Sequence, residues 1–399
     1  MTTKNRYDRR DIRRLNAMSV LDQLRNQGPL SRAQIAQHLG LTRAAVSNIV
    51  SELLETSLIC ETDFVAGSAG RPGLLLSLNA ECACIIAVRI DLDSVTVALA
   101  NLGQEIIWRK DASLDPEATP TECLQRAETL IDEGLSVGHK AGLACFGISV
   151  AWSGLVDHEA GKLAYGPISG WEDISLRENW EERFSAPVFV ENEAHASAIG
   201  VRHHESTRGA DNLVYLSLGV GLAAGVFVGG SLLRGDQGFA GQIGHIAFTD
   251  NGKQCSCGKR GCWVTEIGSL AIIEKLKAAG VRLPDQQHVQ EDWIGYVTEL
   301  AESGDAKVAS VLNAVGEQVG KGLAGLVQTF NPSLVVVGGR LRSLMKYADT
   351  SIRSTLMDET LPHMKETLEF KISDSDDDNL AGCFATVFEV FMKNPPLKS

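Results

Sequence analysis

Three cysteines within eight residues constrain this chain more than any other stretch: Cys255-Ser256-Cys257-Gly258-Lys259-Arg260-Gly261-Cys262. They are spaced C-x-C-x4-C and follow Gly241-Gln242-Ile243-Gly244-His245, with nine residues between the histidine and the first cysteine. Thiolate and imidazole are the ligands Zn2+ prefers, and three Cys with one His fill a closed tetrahedral structural site. Gly258 and Gly261 permit the tight turns that aim three sulfurs at one point. Free buried thiols are the plain alternative, since unligated cysteine is common in cores. Such thiols would be spread along apolar strands, whereas these sit in a Gly/Lys/Arg-rich loop. The reading is a structural Zn2+ on His245, Cys255, Cys257 and Cys262. His245 is chosen as the nearest histidine, and the sequence leaves room for another fourth ligand.

A chain of 399 residues with 44% hydrophobic content has material for two or three domains with sizeable cores. No apolar run reaches the ~18–20 residues of a membrane span, and the N-terminus lacks a signal-peptide core. The expected location is the cytoplasm, with no membrane partner. Disulfides are disfavoured there, so the six remaining cysteines read as thiols, with Cys82 and Cys84 alternating on a strand. Residues 1–79 carry ten Lys/Arg against seven Asp/Glu, a net +3, which leaves −16 on the remainder of a chain whose total is −13. A basic head on an acidic body is the asymmetry expected when only the head touches nucleic acid.

The head reads as three helices and a hairpin. The first helix runs from Asp11 to Asn26 with Ile12, Leu15, Val20, Leu21 and Leu24 on its apolar face, and Gly28-Pro29 ends it. Ser31 and Gln34 form a capping box, and Gly40 suits a left-handed C-terminal turn. Thr42 caps a third helix whose core stripe is Val46, Ile49, Val50, Leu53 and Leu54. Two short helices joined through a glycine turn make a helix-turn-helix. The outward residues Thr42, Arg43, Ala44, Ser47, Asn48 and Ser51 are small or hydrogen-bonding, and Arg and Asn read guanine and adenine edges. Arg32, at the start of the second helix, joins the DNA-contact set. Ile59 to Phe64 and Leu74 to Leu78 read as a wing whose Gly70-Arg71-Pro72 tip places Arg71 in an A·T-rich minor groove.

After Asn79 strand triplets alternate with helices twice over, around Ile85–Trp108 and Leu213–Val228. This predicts an α/β body of two lobes across a cleft. The expected division is a winged helix-turn-helix over 1–79, a first lobe over 80–192 completed by helix 379–394, and a second lobe over 193–378 carrying the zinc loop. His203-His204 reads as solvated. The acidic run Asp374 to Asp378 reads as a solvated loop before a final helix, Leu380 to Phe391. Gly316, Gly320, Gly322 and Gly325 weaken the helix they interrupt, so they read as sites of close helix packing.

Glu191-Asn192-Glu193-Ala194, Gly219-Val220-Gly221, Gly170-Trp171, Gly338-Gly339, the Gly-Gln-Ile-Gly-His stretch and the cysteine loop together resemble the ROK family of repressors and sugar kinases. The resemblance covers nearly all of the chain and implies an actin-like, ribonuclease-H-type body. With the winged helix in front, the whole is similar to ROK transcriptional repressors of the xylose and N-acetylglucosamine type. The departures bear on catalysis. Family kinases carry D-x-G-G-T-K where this chain has Arg89-Ile90-Asp91-Leu92-Asp93-Ser94. Both glycines are gone, and two carboxylates stand where a triphosphate would sit; like charges there repel by about 4 kcal/mol per pair. The second phosphate loop, Gly219 to Gly225, lacks its threonine, and the kinase base of E-N-D is Glu193, whose carboxylate is displaced by about an ångström. No kinase activity is expected.

By the same resemblance the effector set is Asn192, Glu193, Gln242, His245 and Glu266. Val264 takes the position of a family glutamate, Glu266 lies two residues on as its substitute, and Ile168 replaces a family asparagine. The expectation is a homodimeric or homotetrameric repressor of carbohydrate-use genes, bound to double-stranded operator DNA and modulated by a sugar-type effector. The alternatives are a weak sugar kinase and a regulator controlled by a protein partner.

Overall fold

Local capping chemistry sets the head. In the computed structural model, which describes residues 9–62, 74–115, 117–167, 169–204, 207, 209–284 and 292–395, the chain opens with α1 (Arg9–Gln27), β1 (Leu30–Ser31), α2 (Arg32–Leu39) and α3 (Arg43–Glu55). The hairpin strands β2 (Ile59–Thr62) and β3 (Leu75–Leu78) follow. Ser31 Oγ accepts from the Gln34 amide while the Gln34 side chain accepts from the Ser31 amide, and Thr42 Oγ1 accepts from Ala45 N. Each such cap stabilises its helix by about 1 kcal/mol. Gly40 turns the chain at φ 64°, which glycine adopts without strain. The three strands pair in the order β1-β3-β2, closing the winged head.

Val20, Leu21, Leu24, Ile35, Val46, Val50 and Leu53 are buried in the head's core, but the apolar stripe expected along α1 is shorter than its sequence suggested. Ile12 and Leu15, in its first two turns, are 49% and 41% exposed. Between them Arg13 reaches back to the buried Glu52 of α3 at 2.6–2.8 Å, tying the recognition helix to α1.

The body holds two five-stranded sheets built along one path. The first contains β4 (Ala83–Ile90), β5 (Ser94–Asn101) and β6 (Ile106–Ser113) as an antiparallel meander. After α4 (Pro120–Lys140), β7 (Ala144–Trp152) joins parallel to β4. A small three-stranded sheet, β8 (Leu155–Asp157), β9 (Lys162–Tyr165) and β10 (Glu172–Ser175), and the helix α5 (Arg177–Phe184) precede β11 (Val188–Asn192), which lies parallel to β7. Then comes α6 (Glu193–His203).

The second sheet repeats this order. Its meander is β12 (Leu213–Leu218), β13 (Leu222–Val228) and β14 (Ser231–Leu232). The helices α7 (Val264–Ile267), α8 (Ser269–Ala278), α9 (Asp292–Glu302) and α10 (Ala306–Phe330) follow. The strand β15 (Leu334–Gly338) then runs parallel to β12. The last elements are α11 (Arg342–Met345), α12 (Asp349–Glu359), α13 (Pro362–Lys365), β16 (Glu369–Ile372) and α14 (Asp378–Lys393). Thus the order β11-β7-β4-β5-β6 matches the second sheet read in reverse, β16-β15-β12-β13-β14, strand for strand.

Glycines allow the closest helix contacts. A Cβ on Gly316 or Gly320 would press on α12, and one on Gly322 would meet the Trp263 ring at 2.0 Å, whereas Gly325 faces open space. Three of the four helix glycines therefore serve packing. The helices α6 and α14 also cross in near-contact: a Cβ on Gly200 would lie 2.0 Å from Asp378 O, and one on Gly382 1.7 Å from Ala196 O. Cys84 is buried on β4 as expected, but Cys82 sits in a 3-10 turn before it. His203 is not a solvated side chain: its Nε2 meets Glu389 at 2.9 Å and its ring is mostly covered. Among the described residues no helix is long and apolar enough to cross a membrane.

Candidate functional site

The glycine-rich loop does bring its ligands together. One donor atom each from His245, Cys255, Cys257 and Cys262 lies within 4.8 Å of every other. The Cys257 and Cys262 sulfurs are 3.6 Å apart, and Cys255 Sγ is 3.5 Å from His245 Nδ1. Ligands around a tetrahedral Zn2+, with Zn–S about 2.3 Å and Zn–N about 2.0 Å, stand about 3.8 Å (S to S) and about 3.5 Å (S to N) apart. The donor set fits that metal. Burial, with Lys259 nearby, holds the His245 imidazole below the usual histidine range, so the ring is neutral, as a metal ligand must be. Gly258 and Gly261 carry φ of 86° and 72° at the loop's turns.

His245 also lines a cavity of about 640 Å³ between the two sheets. With Nδ1 turned to the sulfurs, its other ring nitrogen is the one left for a ligand. The cavity is walled by the β4–β5 turn (Asp91, Leu92), the β11–α6 junction (Asn192, Glu193), the β12–β13 turn (Gly219 to Gly221), Gln242, and the segment after β15 (Gly339, Arg340). Asn192 is committed to building that wall. Its Oδ1 caps α6 at the Ala194 and His195 amides, and its Nδ2 donates to Gly154 O at 2.8 Å. Glu193 accepts from Ser217 Oγ at 2.9–3.1 Å and from Ser197 Oγ at 3.3 Å. Burial and the nearby Asp91 carboxylate push its carboxyl up to about 7.

Glu266 stands apart from the other residues of the expected effector set. It is not among the cavity's lining residues; its carboxylate accepts from Thr249 Oγ1 and faces Lys275 at 3.7 Å, while Val264 and Thr265 line the cavity instead. The residue lies on a single helical turn, which points it about 200° round from Val264. Ile168 falls outside the described residues.

The carboxylates of the β4–β5 turn also differ from expectation. Asp93 receives two hydrogen bonds from Arg340, at 2.8 and 3.1 Å, across the cleft. Burial alone would raise the Asp93 carboxyl, and the Arg340 guanidinium outweighs it and holds the group below the usual carboxylate range. Asp91 lies 3.6 Å from Arg89. Both negative charges therefore have cations beside them and do not act as bare repulsive groups toward a phosphate. An ion pair between Asp93 and Arg340 thus joins the two sheets across the cavity. The acidic run before α14 is likewise not simply solvated. Asp376 accepts from Arg342 at 2.7 Å, Asp377 pairs with Arg89 and Arg109, and Asp378 is buried. Tyr215 Oη donates to Asp378 Oδ2 at 2.9 Å and accepts from Gly339 N at 3.2 Å. Away from this cavity, a second ion pair runs from Arg234 to the fully buried Glu191 at 2.6 and 2.8 Å. None of Arg340, Tyr215 or Arg234 was legible as a site residue; the sequence near Arg340 offers only the glycine pair before it.

On the head, Thr42, Arg43, Ala44, Asn48 and Ser51 are exposed along one side of α3, and Ser47 is half-buried between them. Arg32 is half-exposed and lies 3.6 Å from Glu61, so its charge is shared within the head. Arg71 lies outside the described residues.

Residues 85–389 match the model of the ROK family, and residues 12–63 that of the MarR family. The chain belongs to the ROK family. Among ROK relatives, the xylose repressor of Caldicellulosiruptor bescii is 27% identical, over 96% of this chain and 98% of its own. The DNA-binding transcriptional dual regulator NagC of Escherichia coli K12 is 28% identical, over 94% and 93%. A solved ROK family transcriptional regulator, a homolog of the E. coli MLC protein, superposes with a TM-score of 0.81 at 26% identity, covering 96% of this chain and 97% of its own. A ROK glucokinase from Streptomyces griseus, solved with glucose and AMPPNP, shares the body's fold at TM-score 0.65 and 23% identity, over 76% of this chain.

Proposed function

We propose that this chain is a DNA-binding transcriptional repressor of carbohydrate-use genes. Its operator affinity is set by a sugar-type effector in the 640 Å³ cavity. The carrying observation is a capped recognition helix with an exposed polar face, built onto a two-sheet ROK body whose cleft opens on hydrogen-bonding groups. Asn48 and Arg43 read base edges, with Thr42, Ala44, Ser47 and Arg32 beside them and Arg71 at the wing. Glu193, Gln242 and His245 face the effector, and Asn192 shapes the wall they stand on. Zn2+ on His245, Cys255, Cys257 and Cys262 is structural, with no position open for catalysis, and it fixes the ring that reaches the ligand. The working units are 1–79, 80–192 with 379–394, and 193–378, assembled as a homodimer or homotetramer in the cytoplasm. An effector acts by favouring one arrangement of the two body units, which alters the spacing of paired heads on half-sites.

Sequencing-based selection of DNA bound by the purified protein tests the reading. A recovered motif with inverted half-sites is expected, and no enrichment over random duplex would overturn it. A thermal-shift panel of sugars then identifies the effector class. The kinase reading rests on the glucokinase-like body and on Glu193 in the cavity. ATP turnover with a hexose panel decides it, and none is expected, because Arg340 and Asp93 stand paired where the phosphate loops meet.

A further inference from the structure

The helix α14 touches both ends of the molecule. Its first turn lies in the cleft: Asp378 and Asn379 line the cavity, and Asp378 is held by Tyr215, which also takes the Gly339 amide. Sixteen residues carry it about 24 Å. At its far end the Arg25 guanidinium of α1 sits over the Phe388 ring at 4.7 Å, and Phe391 stacks on Phe146 at 4.5 Å. Leu380, Phe384 and Phe388 belong to the same apolar core as Ala17, Leu21 and Leu24 of the head.

We propose that α14 couples the cleft to the DNA-binding head, moving as a unit with α6. This rests on the regulator reading above. The crossing at Gly200 and Gly382 leaves no room for the helices to slide independently. A core packed to that density shifts between discrete arrangements rather than bending. The second helix of the pair also begins in the cavity, at Asn192 and Glu193. A ligand that changes how the first turns of α6 and α14 sit therefore changes the surface on which α1 rests. The covalent linker is the competing route. It is pinned by Asn79 Nδ2 to Ser57 O at 2.9 Å and by Asn101 to Glu81 at 2.9 Å, and it does not touch the cavity.

Amide hydrogen exchange on the full chain tests this without any effector or operator. Tyr215→Phe removes the hydroxyl at the cleft end. It should speed exchange in α1 by about threefold or more, the range that coupling substitutions produce, while α4 on the far face of the first sheet stays unchanged. Asp378→Asn is the second perturbation should Tyr215→Phe fail to fold. In a Phe388→Leu background, which cuts the contact with the head, the α1 response to either change should vanish. An unchanged α1, an equal rise in α4, or a response that persists in Phe388→Leu overturns the proposal. None of these outcomes touches the DNA-selection result, so coupling and regulator reading fail separately.

Discussion

Glu193→Gln isolates one proton. The Glu193 carboxyl is displaced from its ordinary 4.5 to about 7, first by burial and second by Asp91. Because the folded pKa is raised, the native state holds a proton that the unfolded chain has released between those two values. Stability therefore falls as pH rises from about 4.5 to about 7 and is level above it. The displacement corresponds to about 3 kcal/mol. Glutamine keeps an oxygen for the Ser197 and Ser217 hydroxyls and has no proton to lose. Urea unfolding followed by tryptophan fluorescence, at pH 5, 6, 7 and 8, gives both stabilities. Subtracting the variant from the parent cancels every other titrating group, the metal ligands included. The parent should lose about 2.5 kcal/mol relative to Glu193→Gln between pH 5 and 8. Asp91→Asn should move the inflection to lower pH. Parallel curves for parent and Glu193→Gln would refute both the half-buried, proton-bearing carboxyl and its coupling to Asp91.

Cys257→Ser should abolish stoichiometric zinc, measured by atomic absorption, and cost on the order of several kcal/mol in thermal unfolding. A variant with full zinc content and unchanged Tm would remove the metal from the fold. Gly322→Ala drives a methyl into Trp263 and should destabilise by about 1–3 kcal/mol. Gly325→Ala three residues on, where space is open, should stabilise by about 1 kcal/mol; calorimetry that found the same sign for both would contradict the packing described. Asn48→Ala should cost about 1–3 kcal/mol on a selected operator and relax preference at one base pair. A gel shift with loss spread evenly over all sequences would instead make Asn48 a backbone contact.

What the sequence disclosed follows the range of the interactions. Ser31 with Gln34, Thr42 with Ala45, and the metal ligands all act within eighteen residues, and each was readable from spacing. Strand runs were readable because an all-apolar β-strand is itself a local signal. The Asp93–Arg340 pair joins positions 247 residues apart, and neither neighbour sequence announces the other. The same holds for Asp377 with Arg89, so an acidic run that looked solvated turned out to be a set of long-range partners. Glu266 lies off the cavity wall for a subtler reason: two residues along a strand keep the same face, but this segment is helical. Ile12 and Leu15 fit the helical period, yet periodicity cannot say how much of a helix its neighbours cover.

The position of α14 in the chain has a consequence for how the protein is made. The core beneath the head and the first sheet includes seven α14 side chains, among them Phe384, Phe388 and Met392. During synthesis every other part of that core precedes them by more than 150 residues. Until the last helix emerges, Val20, Leu21 and Ile85 share a surface with nothing to close it. The metal loop, by contrast, is complete once Cys262 has left the ribosome. A nascent chain therefore completes this Cys/His loop early but cannot close the core beneath its winged head until residues 380–392 have emerged. Contacts of such high sequence separation are slow to form and exposed to misassembly in the meantime.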